Sequence, residues 1–148
     1  MAKNTIIVKD YNHIRDEKVA AGAITPGMLV ERTSADKVQA HNSAGAPVQK
    51  IFAIEDAPQG NGISDAYAAD DTVLLWHATP GEQVYGILDD ASAVEAIVIG
   101  DFVESAGDGR LRKVTVGSAE TGGYSNSIVG VALEAQSTPE GRFIVEIL

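Results

Sequence analysis

The feature that most constrains this chain is its punctuation. From Ala23 onward, apolar runs are cut at intervals of about 8–12 residues by glycine, proline and aspartate. The breaks are Thr25-Pro26-Gly27, Ala44-Gly45-Ala46-Pro47, Gln59-Gly60-Asn61-Gly62, Thr79-Pro80-Gly81, Gly107-Asp108-Gly109 and Thr138-Pro139-Glu140-Gly141. Proline presets φ, and glycine or aspartate accepts φ > 0, so each break is a turn with a mechanism. The strands expected between them are Met28–Thr33, Val48–Asp56, Thr72–His77, Glu82–Leu88, Ala96–Ile99, Asp101–Ser105, Leu111–Val116, Ile128–Ala135 and Arg142–Leu148. Asp108-Gly109, between Val103 and Leu111, is the strongest hairpin signal. The pattern is that of an all-β chain, a small barrel or sandwich. Helix is confined to one or two turns over Asp16 to Ala21 and another over Asp89 to Glu95.

Residues 1–22 read differently from residues 23–148, which form the expected β domain. Ile6-Ile7-Val8 is a lone apolar triplet, and a mixed-charge segment, Lys9 to Lys18, follows it. Two readings stand: a first strand and loop on the same domain, or an extended N-terminal arm that adds a strand to a neighbouring subunit or another protein.

The chain also echoes itself. Ala23-Ile24-Thr25-Pro26-Gly27-Met28-Leu29-Val30-Glu31 aligns with Ala96-Ile97-Val98-Ile99-Gly100-Asp101-Phe102-Val103-Glu104 at an offset of 73. Asp36-Lys37-Val38 faces Gly109-Arg110-Leu111 at the same offset, and Ile51-Phe52-Ala53-Ile54 matches Ile128-Val129-Gly130-Val131 at 77. The order is glycine turn, strand ending in Val-Glu, hairpin, apolar strand, twice. Two similar β modules account for it, as would a shared β vocabulary; two copies are too few for a solenoid.

Charge narrows the function classes. The 148 residues carry 11 Lys+Arg against 21 Asp+Glu, a net charge of -10. Between Lys50 and Arg110 there is no basic residue, and twelve acids fall there. Polyphosphate binding needs Lys and Arg to displace counterions, so a nucleic-acid partner is not expected. The block reads either as a solvated acidic face that keeps the protein soluble or as an outward face opposed to a more neutral docking face. No apolar run approaches the roughly 20 residues of a membrane span, and no signal-peptide core follows the first residues, so neither membrane nor export is expected. The expected site of synthesis is the cytoplasm.

Catalytic and ligand chemistry are expected to be absent. Without cysteine there is no thiol nucleophile or thiolate metal site. His13, His41 and His77 are scattered and lack ligand spacing, so no metal is expected. Asp70-Asp71 and Asp89-Asp90 are adjacent pairs at turns rather than acid/base dyads. Gly123-Tyr124-Ser125-Asn126-Ser127 lacks the last glycine of a nucleophile elbow, and Gln59-Gly60-Asn61-Gly62 lacks the third glycine of a dinucleotide fingerprint. Neither a catalytic residue nor a cofactor is assigned. Arg110-Leu111-Arg112-Lys113 is a compact basic cluster, with Arg110 and Arg112 on one strand face, suited to a salt-bridged interface or to a solvated edge that discourages aggregation.

Three segments carry a resemblance: Asn61 to Val73, Gly100-Asp101-Phe102-Val103-Glu104-Ser105 through Lys113, and Ile128-Val129-Gly130-Val131-Ala132-Leu133-Glu134-Ala135. Together they resemble the head decoration, or cement, proteins of tailed bacteriophages over roughly residues 22–148. Asp71 departs from the pattern, where a glycine is expected. The resemblance implies a non-enzymatic virion protein on the outer capsid surface, bridging and stabilising neighbouring major capsid proteins. It also implies self-association, commonly as a homotrimer, with dimers and monomers among its relatives. Candidate capsid or subunit contacts are Lys3, Ile6, Ile7, Val8, Lys9 and Arg15 in the arm, with Arg110, Arg112 and Lys113 in the basic cluster. Two other classes are weighed. One is a tail or surface module binding glycan through Trp76 and Tyr85, and the other a hydrolase built on Ser125 and a histidine.

Overall fold

The structure, a computed structural model, describes residues 2–89, 91, 95–114 and 126–148. Its strands are β1 (Ile7–Lys9), β2 (Arg15–Val19), β3 (Leu29–Arg32), β4 (Val38–Ala40), β5 (Ile51–Ala53), β6 (Thr72–His77), β7 (Gln83–Ile87), β8 (Phe102–Ser105), β9 (Leu111–Lys113), β10 (Ile128–Ala132) and β11 (Arg142–Ile147). They pair antiparallel in two open sheets, ordered β2-β6-β5-β3-β4 and β1-β7-β11-β10-β8-β9. The all-β expectation holds in its sandwich form, because neither sheet closes into a barrel. One 3₁₀ turn, Ala57–Gln59, is the regular helical element among the described residues, and none of them forms a helix long and apolar enough to cross a membrane.

Three expectations change. Asp16 to Ala21 is not helical: Arg15–Val19 pairs along β6, with Arg15 opposite Trp76 and Val19 opposite Thr72. The apolar strand β6 needs a partner on that edge, and β2 supplies backbone while presenting charged side chains that discourage further pairing. Ala96–Ile99 holds only a bridge, Ile97 to Gln136, and β4 arises from a three-residue segment too short to signal itself. The Asp89 to Glu95 turn and the end of Leu111–Val116 lie partly outside the described residues. The first 22 residues contribute one strand to each sheet, and Ile6 is fully buried in the core.

The echo corresponds to a structural duplication. Removing β1 leaves two five-stranded units with one strand order, in which β2, β6, β5, β3 and β4 match β7, β11, β10, β8 and β9. Registers agree residue by residue: Arg15 to Val19 lie opposite Trp76 to Thr72 as Gln83 to Ile87 lie opposite Glu146 to Arg142. Val30 faces Ala40 as Val103 faces Lys113. Even the isolated bridges recur, Ala20 to Val38 as Leu88 to Leu111, and Ile24 to Tyr67 as Ile97 to Gln136. One detail of the sequence match shifts. Phe52, aligned with Val129, takes the place of Val131, since Leu29 faces Phe52 as Phe102 faces Val131. The pairing of β8 with β10 is irregular between Ile128 and Gly130, where the extra length is absorbed. A two-residue slip keeps every side chain on its face, so the alignment found the right strand in the wrong register.

The units pack so that the first sheet is buried on both faces. Val30, Ile51, Ala53, Val73 and Leu75 point into a first cluster closed by Ile24, Val38 and Tyr67. The alternate residues Leu29, Phe52, Ile54 and Trp76 point the other way, into a second cluster with Ile6, Val84, Val103, Leu111, Phe143 and Val145 of the second unit. Phe52 and Trp76 meet there with centroids 6.4 Å apart. At the same seam the Leu29 amide donates to the Gly109 carbonyl at 2.8 Å, and the Gly109 amide donates to the His41 carbonyl at 3.0 Å.

Gly109 has φ 82, and a Cβ there would lie 3.0 Å from the Ala40 Cβ and 3.1 Å from the Met28 Cβ. Gly60 has φ 81 and open space around it. Gly60→Ala therefore carries only the left-handed backbone penalty of about 1 kcal/mol, whereas Gly109→Ala adds overpacking of the seam, for a total of about 3 kcal/mol. Urea unfolding of the two variants measures the difference.

Candidate functional site

The charges left unexplained by the core were the acidic block and the basic cluster, and the structure joins them. Arg110 pairs with Asp108 at 2.6 Å and also with Glu140. Arg112 reaches Glu104, whose carboxylate is fully buried, at 2.9 Å. Lys113 lies 3.3 Å from Asp101 and 3.4 Å from Glu95. Its hydrogen bond to Asp101 raises its pKa, and Asp101 is lowered first by the Val98 amide and then by Lys113. Arg110 lies just before β9 and Arg112 within it, and each reaches a carboxylate of its own chain. The cluster is a salt-bridged edge within the chain.

The acids are not one solvated face either. Asp65, Asp71 and Asp101 each accept the backbone amide three residues earlier, from Gly62, Ala68 and Val98, at 2.6–2.9 Å. These side chains hold turns, the task for which short acidic residues are suited. Asp108 accepts from the Arg110 amide, Glu55 from the Ile6 amide, and Asp70 pairs with Lys37 at 2.6 Å. Asp71, where a glycine was expected, needs none: the positive φ of that turn falls on Asp70, at 69°. In the second unit the matching residues are Glu140, at φ 60, and Gly141, where the Gln136 side chain occupies the space of a Cβ.

The N-terminal candidates divide in two. Ile6 is in the core, and Ile7 and Val8 are half-buried along β1, which pairs with β7 through Ile7 opposite Val84. Lys9 and Arg15 face solvent; Lys9 lies 5.1 Å from the Tyr11 ring centroid, and Arg15 is 3.3 Å from Asp10. Lys3 is half-exposed. A residue that sequence reading missed holds this segment down. Glu82 is fully buried and accepts from the Tyr11, Asn12 and Thr79 amides at 2.7–2.9 Å. Only its position beside the Pro80-Gly81 turn hinted at a capping role.

The residues weighed for other chemistries are dispersed. Trp76 is fully buried in the contact between the units, and Tyr85 is buried with Arg142 over its ring on the wall of a groove, so neither presents an open ring face to a sugar. Ser125 lies outside the described residues. Each histidine has a carboxylate neighbour that its spacing did not suggest: His13–Asp10 at 2.8 Å, His41–Glu31 at 3.7 Å and His77–Asp16 at 3.9 Å. Among the described residues, no three His, Asp or Glu side chains converge as a metal set. His41 is buried at the seam, sharing a 2.7 Å hydrogen bond with the Ser105 hydroxyl.

No family model matches the chain, and no curated protein matches it. A solved structure does: the head fiber gp8.5 N base of bacteriophage phi29, covering 91% of this chain and 93% of that one, at a TM-score of 0.58 and 11% identity. The two share a fold along nearly their whole lengths.

Glu82→Ala is expected to remove the charged acceptor that three partly buried amides share, at about 1 kcal/mol for each. The loss, read by urea unfolding, should be about 3 kcal/mol and should be accompanied by faster proteolysis at Tyr11 to Ile14. An unchanged midpoint would contradict the assignment of Glu82 as the clamp.

Proposed function

We propose that this chain is a structural, non-enzymatic virion protein of a tailed bacteriophage that binds the outer surface of the mature capsid. There it bridges and stabilises neighbouring major capsid proteins, and it self-associates as a homotrimer. The observation that carries the reading is the end-to-end fold likeness to a phage head fiber base, which meets the motif resemblance to head decoration proteins from an independent direction. The disposition of the polar residues agrees with it. Asp65, Asp71 and Asp101 hold turns, and Asp70, Asp108 and Glu104 hold basic side chains, which suits a protein that works through its surface.

The physical role is linkage. A protein that binds only the expanded lattice favours that state by its differential affinity, and repeated contacts let modest interfaces hold together. Lys3, Lys9 and Arg15, outward on the N-terminal segment, are the candidate shell contacts that the fold leaves accessible. Arg110, just before the edge strand β9, and Arg112 and Lys113 within it are the second set of candidates. The glycan-binding reading loses ground because its two aromatic residues are interior.

The test is addition of purified protein to expanded shells that lack it and to immature shells of the same virus. Saturable binding to expanded shells alone, with raised resistance to heat or chelation, is the expected result. Binding to no shell of its own virus would sink the proposal.

A further inference from the structure

The duplication allows each surface of one unit to be judged against the other. In the first unit the segment Thr25-Pro26-Gly27-Met28-Leu29 is covered by the second unit: Pro26, Gly27 and Leu29 are buried, and Gly27 lies against Arg142, the Tyr85 carbonyl and Ile6. The same turn and strand in the second unit is Val98-Ile99-Gly100-Asp101-Phe102. Gly27 and Gly100 have φ 95 and 94, and the amides of Gly27 and Gly100 donate to Ala53 and Ala132 in the same way. Yet Val98 is 53% exposed, Ile99 70% and Phe102 51%. Val131 and Leu133, matching the buried Phe52 and Ile54, are only half-buried beside them.

Exposure has not been met with polarity. Val, Ile and Phe stand bare where the covered unit has Thr, Pro and Leu, so at these three positions the outer face is no less apolar than the one that is buried, although Glu146 stands there in place of Trp76. Scattered apolar residues at a surface are ordinary, but a contiguous apolar face points to a contact. Of the neighbouring charges, Lys113 holds both Asp101 and Glu95, and Glu134, on the wall beside Ile99, accepts from the Ile144 amide. Beside Ile99 a groove of about 440 Å³ runs between Tyr85, Leu133 and Arg142, within reach of an aromatic side chain.

We propose that this face, centred on Phe102 with Val98 and Ile99, is where copies of this chain join, each second unit resting on the second unit of another copy. The cover that the fold itself uses on the equivalent face is a unit of the same architecture, which makes another copy the occupant. The head-to-tail alternative would extend the internal packing by bringing in the first unit of another chain. That unit carries Glu17, Val19 and Asp36 where the internal contact has Tyr85, Ile87 and Gly109. Burying Glu17 and the Asp36–Lys18 pair against Phe102 is costly, whereas like patches meeting around a symmetry axis bury chiefly the apolar side chains of Val98, Ile99 and Phe102, with Glu146 one strand beyond Val131.

This deepens the reading of the chain as a self-associating capsid protein, and its test separates the two. Sedimentation equilibrium of the wild-type protein, Phe102→Asp, Ile99→Asp and the control Ile14→Asp is the experiment. Ile14 is an exposed apolar residue on the N-terminal segment, away from the patch. The wild type and Ile14→Asp should sediment as a defined multiple of 15.5 kDa. Phe102→Asp and Ile99→Asp should weaken association at least about thirty-fold while keeping the far-ultraviolet circular dichroism of the folded chain, because both side chains are largely exposed in the single chain. A wild type that stays monomeric, or a Phe102→Asp variant that keeps its mass, overturns the proposal. Shell binding by a monomer overturns it while leaving the capsid reading intact, and a patch-dependent oligomer that ignores shells does the reverse.

Discussion

The structure depends on one burial: the outer face of the first sheet against the second unit. A short five-stranded sheet with a single core residue layer is a poor domain, because small units bury too little of the surface that their unfolded chains expose. Leu29, Phe52, Ile54 and Trp76 turn the first sheet into a layer covered on both sides. The polar features of the seam follow from that contact. Gly109 must lack a side chain so that its backbone can bond Leu29 and His41, and Ser105 supplies the partner that buried His41 needs. Arg142 crosses to the Ile63 carbonyl at 2.6 Å over the bare Gly27, and burial lowers its pKa.

The same burial breaks the symmetry of the duplication. Two units of one topology and one register have different surfaces because one covers the other. The differences lie at matched positions. Trp76 corresponds to Glu146, Tyr85 to Glu17, and Ile87 to Val19; the first unit gives its outward face to the seam, while the second gives the inner face of its sheet, with Val84, Val103, Phe143 and Val145. β1 then runs along β7, held in place by Ile6 in the core and by the buried Glu82 carboxylate. What remains uncovered is the second unit's outward face, and a capsid or a second copy can only meet what the fold has left outside.

Most of the strands were readable because their signals are local. Thr72–His77 appears with the bounds expected of it, and Gly107-Asp108-Gly109 turns the hairpin between β8 and β9. The burial of the first sheet on both faces is also written in its runs. Ile51-Phe52-Ala53-Ile54 and Val73-Leu74-Leu75-Trp76 do not alternate with polar residues, whereas Phe143-Ile144-Val145-Glu146 breaks at its last position. What could not be read was partnership over distance. Arg15–Val19 is a strand only because β6 is beside it, and the acids of the central block look like a face until their amide partners, three residues away or across the chain, are known. One candidate contact suffered in the same way: Ile6 read as available until the core claimed it.

The seam has a built-in reporter, since Trp76 is the chain's one tryptophan and lies fully buried at the contact between the units. Equilibrium urea unfolding followed at once by Trp76 fluorescence and by far-ultraviolet circular dichroism tests the dependence of the whole fold on that contact. A single transition with coincident midpoints is the predicted result, because neither unit keeps its strands once the seam opens. A fluorescence change that precedes the loss of strand signal, leaving folded units that have come apart, would contradict it.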